Sequence, residues 1–82
     1  MKKTNRFNPP HPLLNWILRR GRNVLAFQLY QERNGYEVSV SAPGRSKQLY
    51  SRLCAEGRNA LQLHAALVAG FRDAGWTSVA YR

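Results

Sequence analysis

The strongest constraint on the fold is a turn signal, Asn34-Gly35, between two arms whose side chains alternate in polarity. Asn-Gly is a preferred two-residue hairpin loop, because both central positions of the turn need positive φ. With that loop Leu29 faces Val40, and the arms sort their side chains onto two faces. The predicted apolar face comprises Leu25, Phe27, Leu29, Val38, Val40 and Ala42. The predicted polar face comprises Gln28, Tyr30, Glu32, Glu37, Ser39 and Ser41. A slip of one residue would destroy this sorting, so residues 25–42 predict a β-hairpin.

The segment before the hairpin, residues 12–20, predicts a short helix. Pro12 suits the first helical position, and Gly21 suits the left-handed residue that follows a helix. A strand is the alternative, because five of the six residues at 13–18 are apolar and show no clean period. One short helix cannot face all of these side chains the same way, so another element or a second chain must bury some of them.

The segment after the hairpin, residues 47–54, predicts a third strand with Leu49 and Leu53 inward. The spacing of these two leucines also suits the start of a helix. Glu56-Gly57 interrupts any continuous helix, which favours the strand.

The main helix is predicted over residues 59–75, with Asn59 as its N-cap and Gly75 as its end. Its apolar stripe repeats at about 100° per residue. The stripe comprises Ala60, Leu63, His64, Leu67, Val68, Phe71 and Ala74. Residues 76–81 predict a short closing strand, which a strand–helix–strand crossover would place parallel to the third strand.

These elements predict an α+β fold: a short N-terminal helix, a three-stranded antiparallel meander, one amphipathic helix on one face and a closing strand. A chain of 82 residues suits one domain. We expect a flexible basic arm at residues 1–11 and a single α+β domain at 12–82. Cys54 has no second cysteine to pair with, and no signal peptide or membrane span is visible, so the cytoplasm is the expected compartment.

The balance of charge points to an anionic partner. The chain has 13 Lys+Arg against 4 Asp+Glu, a net charge of +9, which suits a polyanion or an acidic protein surface. Ten of the 13 cations are Arg, and a GC-rich genome would produce the same bias. Glu32 and Glu37 are predicted to face each other on the hairpin, where they would repel phosphate.

The cations fall in the connections between the predicted elements. In an antiparallel hairpin the start of one arm lies beside the end of the other, so cations from both sides converge opposite the Asn34-Gly35 turn. The predicted basic cluster comprises Arg19, Arg20, Arg22, Arg45 and Lys47, with Lys2, Lys3 and Arg6 in the arm.

Three strands followed by a helix resemble, in architecture alone, the sheet-reading DNA-binding domains of the ethylene-response-factor and integrase arm-binding types. The resemblance implies that Arg and Trp side chains on the exposed sheet face read the major groove. Here the polar face of the hairpin occupies that position, although Tyr50 and Arg52 of the third strand can share it. This departure argues against base readout by the sheet.

Catalytic and metal chemistry find no support. The chain has one Cys and two His and no ligand spacing typical of zinc, and no glycine motif binds phosphate. A Cys54–His64 pair lacks an orienting third group, so Cys54 is read as a small apolar residue and His64 as a packed one. Trp16 and Trp76 suit a core or an interface better than a base-stacking role. We expect no enzyme, no cofactor and no metal site.

Two functions follow from the sequence. The first is a small accessory protein that grips the nucleic-acid backbone with weak sequence specificity. The alternative is a protein-interaction module, of the kind that mobile elements encode, which docks on an acidic partner or self-associates. Its contact core would be Leu14, Trp16 and Ile17. A membrane-surface role for residues 12–20 is disfavoured, because their polar face is too short.

Overall fold

The computed structural model describes residues 11–44 and 48–81, and shows an α+β fold in which one helix packs on an antiparallel sheet. The described part of the sheet has five strands in the order β4-β3-β2-β1-β5, with every neighbouring pair antiparallel. The elements are β1 Leu14–Arg20, β2 Asn23–Glu32, β3 Gly35–Ser41, β4 Gln48–Cys54, α1 Gly57–Asp73 and β5 Thr77–Tyr81. The predicted arm at 1–11 lies almost wholly outside the described residues. We call the side of the sheet that α1 covers the inner face, and the opposite side the outer face.

The prediction of a helix at residues 12–20 is wrong, because this segment forms β1. β1 pairs with β2 along its whole length, so the meander has four strands instead of three. Leu18 is fully buried on the inner face. Gly21 has φ +62 and occupies a two-residue loop between Arg20 and Asn23, which pair with each other. Hairpin loops of this length accept glycine with positive φ at their first central position.

The hairpin of β2 and β3 forms with a register different from the predicted one. Its loop comprises residues 33–34, and Glu32 pairs with Gly35. Positive φ occurs at Gly35, with φ +148, and at no other residue of this turn. The register is displaced by two residues, so every side chain keeps its predicted face. Glu37 pairs with Tyr30, and the predicted opposition of Glu32 and Glu37 is therefore wrong.

The core lies between α1 and the inner face of the sheet. α1 contacts β2, β3 and β4, and its predicted stripe faces them. The helix contributes Ala60, His64 and Val68 as buried side chains. Two clusters of buried residues result, one of Leu18, Phe27, Val40 and Val68 and the other of Leu29, Val38 and Ala60.

The ends of α1 differ in detail from the prediction. The N-cap is Glu56, whose side chain makes no capping hydrogen bond, so the assignment of that position to Asn59 is wrong. The helix begins at Gly57, which lies close to the ring of Tyr36: a Cβ there would sit 3.3 Å from the ring. Beyond the C-terminus, Gly75 has φ +102, as expected of a glycine that follows a helix.

The edge strands are β4 and β5. β5 pairs with β1, so it runs in the same direction as β4 but at the opposite edge of the sheet. The prediction that Leu49 and Leu53 face inward is wrong, since these side chains are 62% and 57% exposed. Leu53 pairs with Glu37 and lies on the outer face, and the register shift between Val40 and Ser41 leaves the leucine at 49 in a bulge.

Candidate functional site

Three of the predicted basic residues lie together at one end of the sheet. Arg19 pairs with Val24, Arg20 pairs with Asn23, and Arg22 is in the loop between β1 and β2. All three side chains are exposed. Neighbouring residues of an antiparallel sheet alternate between faces, so these guanidinium groups spread around the end of the sheet instead of along one face.

A fourth arginine, Arg72, reaches the same end from α1. It lies in the last turn of the helix, and the chain then returns to β1 through a short turn. The Thr77 hydroxyl donates a hydrogen bond to the Arg19 carbonyl oxygen at 3.2 Å, and a Cβ on Gly75 would lie 3.6 Å from Nε of Arg20. We call the group of Arg19, Arg20, Arg22 and Arg72 the arginine end. Sequence reasoning missed Arg72 as a member, because its position depends on β5 joining β1.

The other predicted basic residues fall outside the described part of the chain. Arg45 and Lys47 belong to residues 45–47, and Lys2, Lys3 and Arg6 belong to residues 1–10. The described residues that flank the first group are Gly44 and Gln48. Arg22 and Pro43 line the same shallow depression, so the connection between β3 and β4 starts beside the arginine end.

Trp76 lies in the middle of the arginine end. It lines one depression with Arg22 and Leu49, and a second with Arg72 and Thr77. The indole is half-buried and packs edge-on against Phe71, with ring centroids 5.5 Å apart. A half-buried aromatic side chain therefore lies beside two of the four arginines.

The acidic side chains gather at the opposite end of the sheet. Glu32 and Glu37 lie near the loop between β2 and β3, and Glu56 occupies the N-cap position of α1, which begins on that side with Gly57 beside Tyr36. We call these three residues the glutamate end. Arg33, Arg52 and Arg58 lie toward the same end and balance its charge. Among the described residues the arginine end has four arginines against one carboxylate, that of Asp73, so positive charge is concentrated there.

The outer face is polar and carries one row of side chains across four strands. Its pairing runs from Asn15 to Gln28, then to Ser39 and Ser51. Asn15 Oδ1 and Ser39 Oγ are buried without a hydrogen-bond partner among the described residues. None of these four side chains carries a charge that would attract phosphate.

Tyr30 lies on this face as a neutral phenol close to two carboxylates, those of Glu37 and Glu32. Its hydroxyl donates a hydrogen bond to Gln28 Oε1 at 3.1 Å. Burial raises the pKa of Tyr30, and the charges of Glu37 and Glu32 raise it further. The Ser51 hydroxyl donates to the Glu37 carboxylate. The outer face therefore disfavours phosphate, and an anionic ligand is better matched by the arginine end.

The predicted contact core of Leu14, Trp16 and Ile17 is divided between two faces. Leu14 and Trp16 are half-buried and pack against the inner core clusters. Ile17 pairs with Ala26 on the outer face. These three residues therefore do not share one surface.

Cys54 and His64 lie on different elements, β4 and α1. His64 is buried, and its Nε2 lies 2.9 Å from the carbonyl oxygen of Phe27. Cys54 is half-buried at the end of β4, where it pairs with Tyr36. Among residues 11–44 and 48–81, no three His, Cys, Asp or Glu side chains group as a metal site would require. In the same part of the chain, no helix has the length and apolar character needed to cross a membrane.

Comparison of the chain with protein-family models, with curated proteins and with solved structures gave no match in any of the three. The functional reading therefore depends on the charge layout of this fold. The resemblance to three-stranded DNA-binding domains does not extend to the five-stranded sheet.

Proposed function

We propose that the protein is a small, non-catalytic, cytoplasmic accessory protein that binds the nucleic-acid backbone through its arginine end, with weak sequence specificity. The observation that carries the proposal is the convergence of arginines from three separate segments, β1, the loop after it and the end of α1. The glutamates lie at the other end, where three arginines balance their charge, so the excess of positive charge is confined to the arginine end.

Guanidinium groups are well suited to this role. Arg presents a planar set of donors that matches phosphate oxygens, and it stays charged at every physiological pH. Contacts to phosphate fix position but do not read sequence. Trp76 can add stacking on an unpaired base, which tolerates any base because each has a π face. The uncharged row on the outer face gives no direct readout.

The expected affinity is modest and depends on salt. Each duplex phosphate that a cation neutralises contributes about 0.9 to the slope of the logarithm of the dissociation constant against the logarithm of the salt concentration. Four arginines would give a slope of about 3 to 4, with a non-specific dissociation constant on the order of 10⁻⁴ to 10⁻⁶ M at physiological salt.

Fluorescence anisotropy with labelled duplex and single-stranded DNA, over a series of salt concentrations, tests this proposal. The variant Arg19→Gln/Arg22→Gln should bind more weakly and lower the salt slope by about 2. The matched control Arg33→Gln/Arg58→Gln removes the same charge near the glutamate end and should leave the slope nearly unchanged. Equal losses in both variants would show that net charge alone, and no particular surface, attracts the DNA.

The second candidate is docking on an acidic protein, and one observation favours it. The depression beside the arginine end combines Arg22 with the apolar side chains of Leu25, Leu49 and Trp76. Mixed apolar and basic surface suits an acidic peptide as well as a nucleic acid. Copurification from the native cell, before and after nuclease treatment, separates the two, because a protein partner should remain bound after digestion.

A further inference from the structure

β4 is an edge strand with unusual exposure. Its first six residues are exposed, and it contains Leu49, Tyr50 and Leu53. These are three of the six large hydrophobic side chains that are exposed in the described part of the chain. An edge strand also presents unpaired backbone N–H and C=O groups along its free side. Among residues 11–44 and 48–81, apolar side chains and backbone groups without a neighbouring strand are thus concentrated on one seven-residue element.

The exposed side chains of β4 lie on both faces of the sheet. Tyr50 pairs with Val40 and belongs to the inner face, whereas Leu53 pairs with Glu37 and belongs to the outer face. A helix or sheet stacked on either face would cover only one of them. A strand added alongside would contact both and would also satisfy the free backbone groups. The missing partner is therefore best described as another strand.

The strand has little protection against such pairing. Edge strands are commonly guarded by Pro, Lys, charged residues that point inward, or bulges. β4 contains neither Pro nor Lys. Its bulge at Leu49 lies near one end, which leaves Tyr50 to Cys54 in regular register with β3. Arg52, on the inner face, is the one charge in this regular part and its one guard of this kind.

We propose that β4 pairs antiparallel with β4 of a second copy, on a two-fold axis at Ser51, and so joins two sheets into one. A two-fold axis at Arg52 would place two guanidinium groups directly opposite each other, which is destabilising. An axis at Ser51 places Tyr50 opposite Arg52 of the second copy, and the reverse. Both side chains lie on the inner face, because they pair with Val40 and Val38. The arrangement therefore gives two cation–π pairs.

The charge layout supports the same arrangement. The two-fold axis reverses the direction of the second copy, so the glutamate end of one copy lies on the same side as the arginine end of the other. A parallel arrangement would bring like ends together. Antiparallel pairing thus separates the arginine ends, although each chain carries a net charge of +9. The inference is independent of nucleic-acid binding, since the arginine end takes no part in the β4 contact.

Disulfide trapping tests the predicted axis. In a Cys54→Ser background, Ser51→Cys should place two thiols directly opposite each other, with Cβ atoms about 4.5 to 5.5 Å apart. This is close to the roughly 3.5 to 4.5 Å that a disulfide spans. Mild oxidation should give a covalent dimer. Ser78→Cys in the same background is the matched control, because Ser78 is an exposed serine on the opposite edge strand. Equal cross-linking of both variants, or none at position 51, would overturn the proposal.

Sedimentation equilibrium provides the second test without cysteine chemistry. Leu53→Lys should raise the dimer dissociation constant about tenfold or more, since it places a cation in the seam. Leu61→Lys is the control, because Leu61 on α1 is 53% exposed, compared with 57% for Leu53. It should leave the constant within about twofold. A wild-type protein that stays monomeric at its solubility limit would refute the pairing.

Discussion

Replacement of His64 tests whether a helix side chain anchors α1 to the sheet. His64 is 3% exposed, and its Nε2 lies 2.9 Å from the Phe27 carbonyl oxygen in the central part of β2. A carbonyl oxygen can only accept a hydrogen bond, so Nε2 must carry the hydrogen. His64→Leu keeps much of the side-chain volume and removes this donor.

The magnitude follows from two opposing effects. Removal of one partner from a buried hydrogen bond costs about 1 to 3 kcal/mol when the other group is left unsatisfied. The added apolar surface of leucine offsets part of this loss, at about 25 cal/mol per Å² buried. We expect a net loss of about 1 to 2 kcal/mol in the free energy of unfolding. For a domain of this size that lowers Tm by roughly 5 to 15 °C.

Urea and thermal unfolding followed by circular dichroism measure this loss. His64→Gln is the informative control, because its amide retains an N–H donor on a side chain of similar length. It should lose less stability than His64→Leu. If the leucine variant matches or exceeds the wild type in both Tm and urea midpoint, the contact to Phe27 contributes nothing, and the helix is held by apolar packing alone.

Three further predictions follow from particular contacts. Burial and nearby carboxylates raise the pKa of Tyr30, so its contribution to stability is full below about pH 10 and is lost as the pH rises through the folded-state pKa. Tyr30→Phe should therefore show a smaller fall in urea midpoint above that pH than the wild type. An identical fall would show that ionisation of Tyr30 does not destabilise the fold. Gly35→Ala should lower the free energy of unfolding by at least about 1 to 3 kcal/mol, because φ is +148 and the new Cβ would collide with the backbone at the end of β4. Gly44→Ala is the control, because Gly44 also has positive φ but lies in open space. It should lower the free energy of unfolding by less in the same denaturation assay. Phe27 and Phe71 lie edge-on with centroids 5.0 Å apart, so a double-mutant cycle to Leu should give about 0.5 to 1.5 kcal/mol of coupling, and no coupling would show that the ring geometry is incidental.

The sequence predicts the α+β class, the hairpin, α1 and the closing strand, because each has a local signal of its own. Alternation sorts the side chains of β2 and β3, and this sorting tolerates the two-residue error in register. The predicted apolar stripe faces the sheet, because a period near 3.6 residues is maintained over the length of α1. The error at its N-terminus is local, since Asn59 fits the capping preference and the chain nevertheless begins the helix at Gly57.

β1 could not be assigned from local signals because both of its flanks satisfy helix rules. Pro12 suits a helix start, and Gly21 suits a residue with positive φ, which it has in the structure. The glycine serves a hairpin loop instead of a helix end, and only pairing with β2 decides between these uses. β1 also lacks clean alternation, because Ile17 on the outer face is apolar like Trp16 and Leu18 on the inner face.

Three of the four residues of the arginine end could be predicted from the sequence to lie together, and the fourth could not. The convergence of Arg19, Arg20 and Arg22 requires only that the chain turn back after residue 20, which a helix or a strand would both allow. The addition of Arg72 requires the strand order, because α1 must cross the sheet before β5 joins β1. Local pattern carries no information on that order.

The helix dipole separates two explanations of the charge layout. The N-terminus of a helix favours negative charge and the C-terminus favours positive charge, within about one turn. Glu56 at the N-cap and Arg72 in the last turn of α1 match this preference, so stabilisation of the helix is enough to explain both residues. It does not explain Arg19, Arg20 or Arg22, which belong to β1 and its loop. These three exposed arginines contribute little to the stability of a strand end, and three like charges within residues 19–22 repel one another. A polyanion would relieve that repulsion, which is why the case for binding depends on the β1 arginines more than on net charge.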